Sequence, residues 1–165
     1  MNQTSDDNLA RWGLSQDAPP IVHQALTYWE SKLDGRQMPA RRDFDPVFEI
    51  PHLLPWVILV DVLRDPLDFR YRLIGTGIAA QAHRDHTGCR FSELTRVGPG
   101  SVVWKDRLAV IDTRMPKMTA PAYIGRDKLI QSVSGVHLPL SDDGEMVNMI
   151  FTFVSYQTQW KVKGW

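Results

Sequence analysis

The sequence predicts an α+β domain: a five-stranded antiparallel sheet with helices over one face and an extra N-terminal helix. An apolar stripe with helical spacing comes first, and two strand-like runs joined by a turn follow it. Short helical stretches come next, and three further strand-like runs fill the C-terminal third. This order of elements is typical of one sheet that carries its helices on a face.

The composition indicates a single globular domain and argues against several function classes. The chain has 165 residues, with 19 basic and 19 acidic side chains, so it can bury a core but has no excess of charge. Nucleic acids and anionic membranes both need clustered basic residues, and we expect neither as a partner. Residues 1–18 do not resemble a signal peptide, and no apolar run is long enough to span a membrane. We therefore expect a cytoplasmic protein.

The first 20 residues and the helix after them are the N-terminal features. Residues 1–20 are polar and end in two prolines, which predicts a flexible tail before a single domain at residues 21–160. In the next helix, an apolar stripe stops near Gly35. The stripe consists of Val22, Leu26, Trp29 and Leu33. It covers the sheet of its own chain or pairs with the same helix of a second chain.

The strands are predicted from alternating apolar residues between turn signals. Residues 56–63 and 69–74 form an antiparallel pair joined by a turn. Within the second run, Phe69, Tyr71 and Leu73 alternate with arginines, which predicts one buried and one solvated face. The C-terminal strands are predicted at residues 117–124, 129–140 and 145–156.

Helices are predicted between the two groups of strands. Two short helical pieces fit residues 78–83 and 91–94. A longer helix begins after Ser101, whose hydroxyl can cap it, and ends before Pro116.

Four motifs in a fixed order carry a resemblance to a known family. They are Leu26-Thr-Tyr-Trp29, Met38-Pro-Ala-Arg-Arg-Asp-Phe-Asp-Pro46, Phe69-Arg-Tyr-Arg-Leu-Ile-Gly-Thr76 and Arg84-Asp-His-Thr-Gly88. Together with the order of elements, they resemble the PAS domains, and in particular a PAS-like family found mainly as stand-alone alphaproteobacterial proteins. The resemblance covers residues 26–94 well and the rest in outline.

The resemblance implies a non-catalytic sensory or regulatory PAS module in signal transduction. Such a module acts by small-ligand binding, by protein–protein interaction, or by both. We expect a homodimer through the first helix and the sheet face, a signalling protein as partner, and no cofactor. Two alternatives stay open: a cofactor-loaded sensor with flavin or haem, and a small enzyme with its active site in a cavity.

A cavity between the sheet and the helices is the expected ligand site, although the same side chains would also form a filled core. The candidate lining residues are Tyr71, Leu73, Ile78, His83, His86, Leu94, Trp104, Leu108, Ile111, Tyr123 and Met149. His83 and His86 depart from the family's pattern and supply polar groups. No third ligand accompanies them at a convincing spacing, so no metal site is predicted.

A glycine motif at residues 75–80, Gly-Thr-Gly-Ile-Ala-Ala, partly matches a dinucleotide-binding loop. The strand before it alternates with arginines, whereas the first strand of a nucleotide-binding fold is buried on both faces. We interpret the motif as a turn in which Gly75 or Gly77 adopts a positive φ.

Two further residues invite a chemical interpretation. Cys89-Arg-Phe91 resembles the motif of the reactive cysteine in flavin-binding PAS photosensors, but Gly88 replaces the asparagine and the cysteine lies too early. A haem-binding PAS domain usually has an axial histidine on the long helix, which this chain lacks; His83 or His137 would have to replace it. For His137 we expect exposure to solvent or a local hydrogen bond. No catalytic set of nucleophile, base and orienting acid is visible.

Overall fold

The computed structural model describes residues 3–82 and 84–158, with side chains from residue 7 onward. The α-helices are α1 (Gln3–Arg11), α2 (Pro20–Glu30), α3 (Pro46–Glu49), α4 (Thr76–Ala79) and α5 (Val102–Thr113). The strands are β1 (Val57–Leu63), β2 (Asp68–Ile74), β3 (Lys117–Thr119), β4 (Ile130–Leu140) and β5 (Met149–Thr158). Short 3-10 helices lie at Arg41–Asp43, Pro51–Trp56 and Phe91–Glu93. Among these residues, no helix is long and apolar enough to cross a membrane.

The five strands form one antiparallel sheet in the order β2-β1-β5-β4-β3. The last strand of the chain lies in the centre and pairs with β1 on one side and β4 on the other. The predicted α+β fold with a five-stranded antiparallel sheet is confirmed. Of the C-terminal strands, β3 is much shorter than predicted, because the chain leaves the sheet after Thr119.

One face of the sheet is covered by α2. Val22, Leu26 and Trp29 are buried there against β4 and β5, and the indole Nε1 of Trp29 donates a hydrogen bond to the carbonyl of Pro139 at 2.9 Å. Leu33 is partly buried against the same core. The predicted dimer interface through this stripe is therefore wrong for Val22, Leu26 and Trp29, because their side chains are already buried by their own sheet.

The opposite face carries α5, which packs against β3 and β4. The helix begins as the sequence predicts, because the Ser101 hydroxyl accepts a hydrogen bond from the backbone N–H of Trp104 at 3.1 Å. It ends at Arg114, whose φ of 57° is left-handed, two residues before Pro116. The sheet therefore has helices on both faces, with α2 as the extra N-terminal helix on its own side.

A register shift in the first hairpin changes the face on which Leu73 lies. Leu59 pairs with Leu73, whereas the next residue, Val60, pairs with Tyr71, so that Arg72 is an extra residue in β2. The bulge breaks the predicted alternation. Leu73 consequently leaves the face of Phe69 and Tyr71, and its side chain is 44% exposed.

The N-terminal segment differs from the predicted flexible tail. Residues Gln3–Arg11 form a helix, and Leu9 is completely buried in the main core. Trp12 packs edge-to-face on Trp29, with ring centroids 5.2 Å apart, and its Nε1 donates a hydrogen bond to Glu30. The segment has few apolar residues, but they converge on α2, and burial of these few side chains holds it in place.

The packing of α1 predicts that Leu9→Ala lowers the free energy of unfolding by about 2–5 kcal/mol, the usual cost of truncating a fully buried leucine. Chemical denaturation of the wild type and the variant measures the difference. Asp7→Ala, at an exposed position of the same helix, is the control and should change stability by less than about 0.5 kcal/mol. Equal stability of both variants and the wild type would show that the segment is a tail after all.

Candidate functional site

A cavity of about 550 Å³ lies between the sheet and the segments that cross its α5 side. Its floor is formed by side chains of β1, β4 and β5, and its walls by α4, α5 and the stretches 93–97 and 119–125. Apolar side chains supply most of the surface, among them Ile58, Ile78, Val103 and Val154.

Five of the residues predicted from the sequence lie at this cavity. These are Tyr71, Ile78, His86, Leu94 and Tyr123. They come from β2, from α4 and the stretch after it, and from the segment between β3 and β4. The fold therefore brings together residues more than 50 positions apart in the chain.

The other predicted lining residues lie elsewhere. Leu73 is exposed because of the bulge in β2, and Trp104 packs edge-to-face on Phe69, with ring centroids 5.0 Å apart. Leu108, Ile111 and Met149 are partly buried against the hydrophobic core. For these five residues, the predicted place in the cavity wall is wrong. His83 lies outside the described residues.

An aromatic cluster beside the cavity fixes its end near β2. Phe91 packs on both Tyr71 and Phe69, with ring centroids 4.4 Å and 5.6 Å apart. Asp68 holds the turn that carries Phe91, because its carboxylate accepts hydrogen bonds from the hydroxyl and the backbone N–H of Ser92 at 2.5 Å and 3.2 Å. Trp104 belongs to this cluster through its contact with Phe69, and it packs behind the residues that line the cavity.

Arg107 of α5 is a buried cation at the cavity. Its side chain is 2% exposed, and its guanidinium lies 4.9 Å above the ring of Phe91. Nη1 donates a hydrogen bond to the carbonyl of Val103 at 3.3 Å, one turn earlier in the helix. Within the described chain it forms no ion pair. Burial lowers the pKa of Arg107 to about 10, so the side chain remains charged at neutral pH.

His137 of β4 lies in the cavity floor and is also 2% exposed. Its Nδ1 and the hydroxyl of Thr152 are 2.8 Å apart. Burial, together with the positive charges of Arg107 and Lys117, holds the pKa of His137 well below 6.5, so the ring is neutral. Of the two alternatives that the sequence left for this residue, the local hydrogen bond is correct and exposure to solvent is wrong.

Four buried polar atoms at the cavity have no hydrogen-bond partner in the described part of the chain. They are His86 Nδ1, Arg107 Nε, Ser134 Oγ and His137 Nε2. All four residues line the cavity. Because buried polar groups in folded proteins are nearly always paired, four unpaired groups among the residues of one cavity favour a polar partner at this place.

The strand register explains how the floor is built. Ile58, Thr152 and His137 are directly opposite one another across β1, β5 and β4, so all three point to the cavity face. Their neighbours on β5, Phe151 and Phe153, point to the face covered by α2. Alternation along β5 therefore separates the core under α2 from the cavity.

Arg107, Ser134 and the inward orientation of His137 were missed by the sequence analysis. A signal for Arg107 was present, because it lies three residues after Trp104 and three before Val110, inside the apolar stripe of α5. A charged residue at such a position is unusual and invites a functional interpretation. No comparable signal marked Ser134, since small polar residues are common on either face of a strand.

The glycine motif before α4 is explained by close packing. A Cβ atom at Gly75 would lie 2.4 Å from the carbonyl oxygens of Leu54 and Pro55, and one at Gly77 would lie 2.6 Å from the Trp56 ring. The φ of Gly75 is −61°, and neither glycine adopts a positive φ, so that part of the prediction is wrong. The glycines let α4 approach the 3-10 helix Pro51–Trp56.

Other candidate chemical groups lie apart from the cavity or do not form a site. Cys89 is partly buried and does not belong to the cavity lining. Within the described ranges, no group of three or more His, Cys, Asp or Glu is arranged to hold a metal ion.

A comparison with family models identifies the class of protein. A model described as a PAS domain matches residues 18–131, more than half of the chain. The chain therefore belongs to the PAS domain family, whose members are in general non-enzymatic sensory modules. The match ends just inside β4, and the remainder of β4 and all of β5 complete the sheet of that fold. No curated protein and no solved structure matches the chain.

The buried ring of His137 predicts that stability falls as the pH drops below about 6.5. In this range an unfolded chain protonates its histidine, whereas the lowered pKa keeps the folded ring neutral, so the unfolded state binds more protons. The free energy of unfolding then decreases by up to about 1.4 kcal/mol per pH unit for this group.

Urea unfolding of the wild type and of His137→Asn at a series of pH values measures this effect. Asparagine keeps a polar group at this position and does not titrate, and every other titrating group is common to the two proteins. The wild type should therefore lose more stability than the variant between about pH 6.5 and pH 5. Parallel curves would contradict the lowered pKa.

Proposed function

We propose that this protein is a non-catalytic regulatory PAS module whose cavity binds a small ligand and which passes the signal to another protein. The observation that carries the proposal is that four residues of one cavity lining each have a buried polar atom without a partner in the described chain. A filled core, the alternative left open by the sequence, would leave neither the space nor the unpaired groups.

The cavity has the size and chemistry of a small-molecule site. Such sites occupy about 300–1,000 Å³ and combine an apolar surface with a few fixed polar groups. Here the volume is about 550 Å³, and Ile58, Ile78 and Val154 form an apolar surface around the polar groups of Arg107 and His137. A ligand with an apolar body and one polar end matches this arrangement.

The polar groups at the cavity support binding more than catalysis. His137 is paired with the hydroxyl of Thr152 and with no carboxylate among the described residues, and its lowered pKa makes it a weak base. Asp106, the acid nearest to Arg107 in sequence, accepts a hydrogen bond from the Thr119 hydroxyl at 2.6 Å. No nucleophile with an adjacent base and an orienting acid results from these contacts.

Homodimerisation and a signalling partner stay predictions. Since the stripe of Val22, Leu26 and Trp29 is buried by its own sheet, an interface must use surfaces other than this stripe. Among the described residues, Phe48 of α3 is the most exposed large apolar side chain, at 83%, and Val47 beside it is 60% exposed. A contact with a partner protein would bury such side chains favourably.

Filling the cavity should abolish ligand binding while the fold is retained. Val154→Trp places an indole in the cavity, whereas Leu73→Trp adds the same group on the outer face of β2 and is the matched control. The uncharged fluorescent probe N-phenyl-1-naphthylamine is titrated into the wild type and both variants. We expect Val154→Trp to weaken binding by at least about tenfold, a loss of about 1.4 kcal/mol, and Leu73→Trp to leave it unchanged. Equal binding by the three proteins would contradict the proposal.

The cofactor-loaded alternative is separated from this proposal by an absorption spectrum and a native mass spectrum of the protein as purified. We expect no visible bands, because the proposed ligand is a small molecule without a chromophore. A flavin or haem spectrum would replace the proposal with the cofactor-loaded sensor. In that case His137, a lining residue whose Nε2 has no hydrogen-bond partner in the described chain, would be the first residue to examine as an axial ligand.

A further inference from the structure

Arg107 has no ion-pair partner among the described residues that line the cavity or lie near it. A buried cation normally has an anionic partner, because an unpaired charge in a protein interior is strongly unfavourable. Asp106 precedes Arg107 on α5, but its carboxylate accepts a hydrogen bond from Thr119 at 2.6 Å and lies 3.9 Å from the Nζ of Lys117. Its oxygens thus have partners on the β3 side of the helix. The guanidinium contacts the Val103 carbonyl and the Phe91 ring, and Asp106 and Tyr71 act on it electrostatically without a direct ion pair.

The other unpartnered groups also include hydrogen-bond donors. The hydroxyl of Thr152, itself 2% exposed, has His137 Nδ1 as its hydrogen-bond partner within the described residues. When this hydroxyl donates its proton to Nδ1, the ring carries its own proton on Nε2. His137 and Arg107, which both line the cavity, then each carry an N–H without a hydrogen-bond partner in the described chain, on Nε2 and Nε. The hydroxyl of Ser134, on β4 at the same cavity, can donate as well.

The exposed charged residues of the cavity lining are mainly positive, as Arg107 is. Arg84 and Arg96 are exposed residues of its lining, and neither forms an ion pair with another described residue. Glu93 is the acidic residue of the lining, and its carboxylate accepts a hydrogen bond from the backbone N–H of Arg90. Two arginines and one glutamate give the exposed part of the lining an excess of positive charge, which favours the approach of anions.

We propose that the cavity ligand is a carboxylate with an apolar body, whose carboxylate pairs with Arg107 and accepts a hydrogen bond from His137 Nε2. This inference rests on the proposed function and adds the chemical class of the ligand. A single guanidinium without a counter-ion requires one negative charge, which a carboxylate supplies. The planar fork of the guanidinium also matches a carboxylate in two parallel hydrogen bonds. The apolar body lies against Ile58, Ile78 and Val154.

Matched pairs of carboxylates and amides test the charge of the ligand directly. Phenylacetate with phenylacetamide, and hexanoate with hexanamide, differ in charge but hardly in shape. Each is titrated calorimetrically into the wild type, Arg107→Met and Lys105→Met, where Lys105 is an exposed cation of the same helix. We expect the wild type and Lys105→Met to prefer a carboxylate over its amide by at least about tenfold, and Arg107→Met to lose this preference. Equal affinities within each pair on the wild type, or a preference that survives in Arg107→Met, would overturn the inference.

Thermal stability supplies a second measurement that does not depend on the choice of probe. Bound small molecules are first removed, and the emptied state is checked by native mass spectrometry. Methionine at position 107 then removes an unbalanced buried charge, so Arg107→Met should melt at a higher temperature than the wild type. A lower melting temperature would show that contacts within the chain already satisfy the guanidinium, and would overturn the inference.

The failure of this inference is distinguishable from the failure of the proposed function. If the uncharged naphthylamine binds and Val154→Trp abolishes its binding, the cavity is a ligand site whatever the carboxylates do. If carboxylates and amides then bind equally well, only the inference that the ligand is a carboxylate is contradicted. If the naphthylamine binding is insensitive to Val154→Trp, the ligand-binding function itself is contradicted.

Discussion

The position of β5 in the centre of the sheet is the constraint from which both sides of the molecule follow. This strand pairs with β1 and β4, so that the N-terminal hairpin and the C-terminal strands meet along it. Its side chains alternate, with Phe151 and Phe153 directed to α2 and Thr152 and Val154 directed to the cavity. A shift of one residue in its register would exchange the two sets, and would bury polar groups under α2 while filling the cavity with phenyl rings.

The two faces of the sheet differ in how completely their buried polar groups are paired. On the α2 side the packing against the sheet is apolar, and the one polar group of Trp29 has its acceptor in the Pro139 carbonyl. On the α5 side, Arg107 and His137 remain incompletely paired. The buried core includes residues of both faces, and its burial offsets the cost of the incompletely paired groups at the cavity.

The order of elements could be predicted because each had a local cause. The Ser101 cap, the Pro116 stop and the alternation along the strands are visible in the sequence itself. The bulge at Arg72 was not, because it arises from pairing between two strands, and it moved Leu73 out of the cavity wall. The packing of the N-terminal segment was missed for a similar reason, since Leu9 and Trp12 find their partners on α2.

The site itself was only partly accessible from the sequence. Tyr71 and Ile78 follow from the predicted faces of their elements, and both line the cavity. Ser134 and His137 depend on which strands are neighbours and in which register, and no single strand carries that information. The charge of Arg107 inside the apolar stripe of α5 is visible in the sequence, but the cavity that it lines forms only where α5 packs on the sheet.

Asp106 and Arg107 are consecutive on α5 and therefore point about 100° apart around the helix axis. The carboxylate of Asp106 accepts a hydrogen bond from Thr119 on the edge strand β3, and Arg107 lines the cavity. Because both belong to one rigid helical turn, a rotation of α5 that repositions the guanidinium also pulls on the contact with the edge strand. A displacement of Arg107 in the cavity is thus coupled through α5 to the edge strand β3, which other molecules can contact.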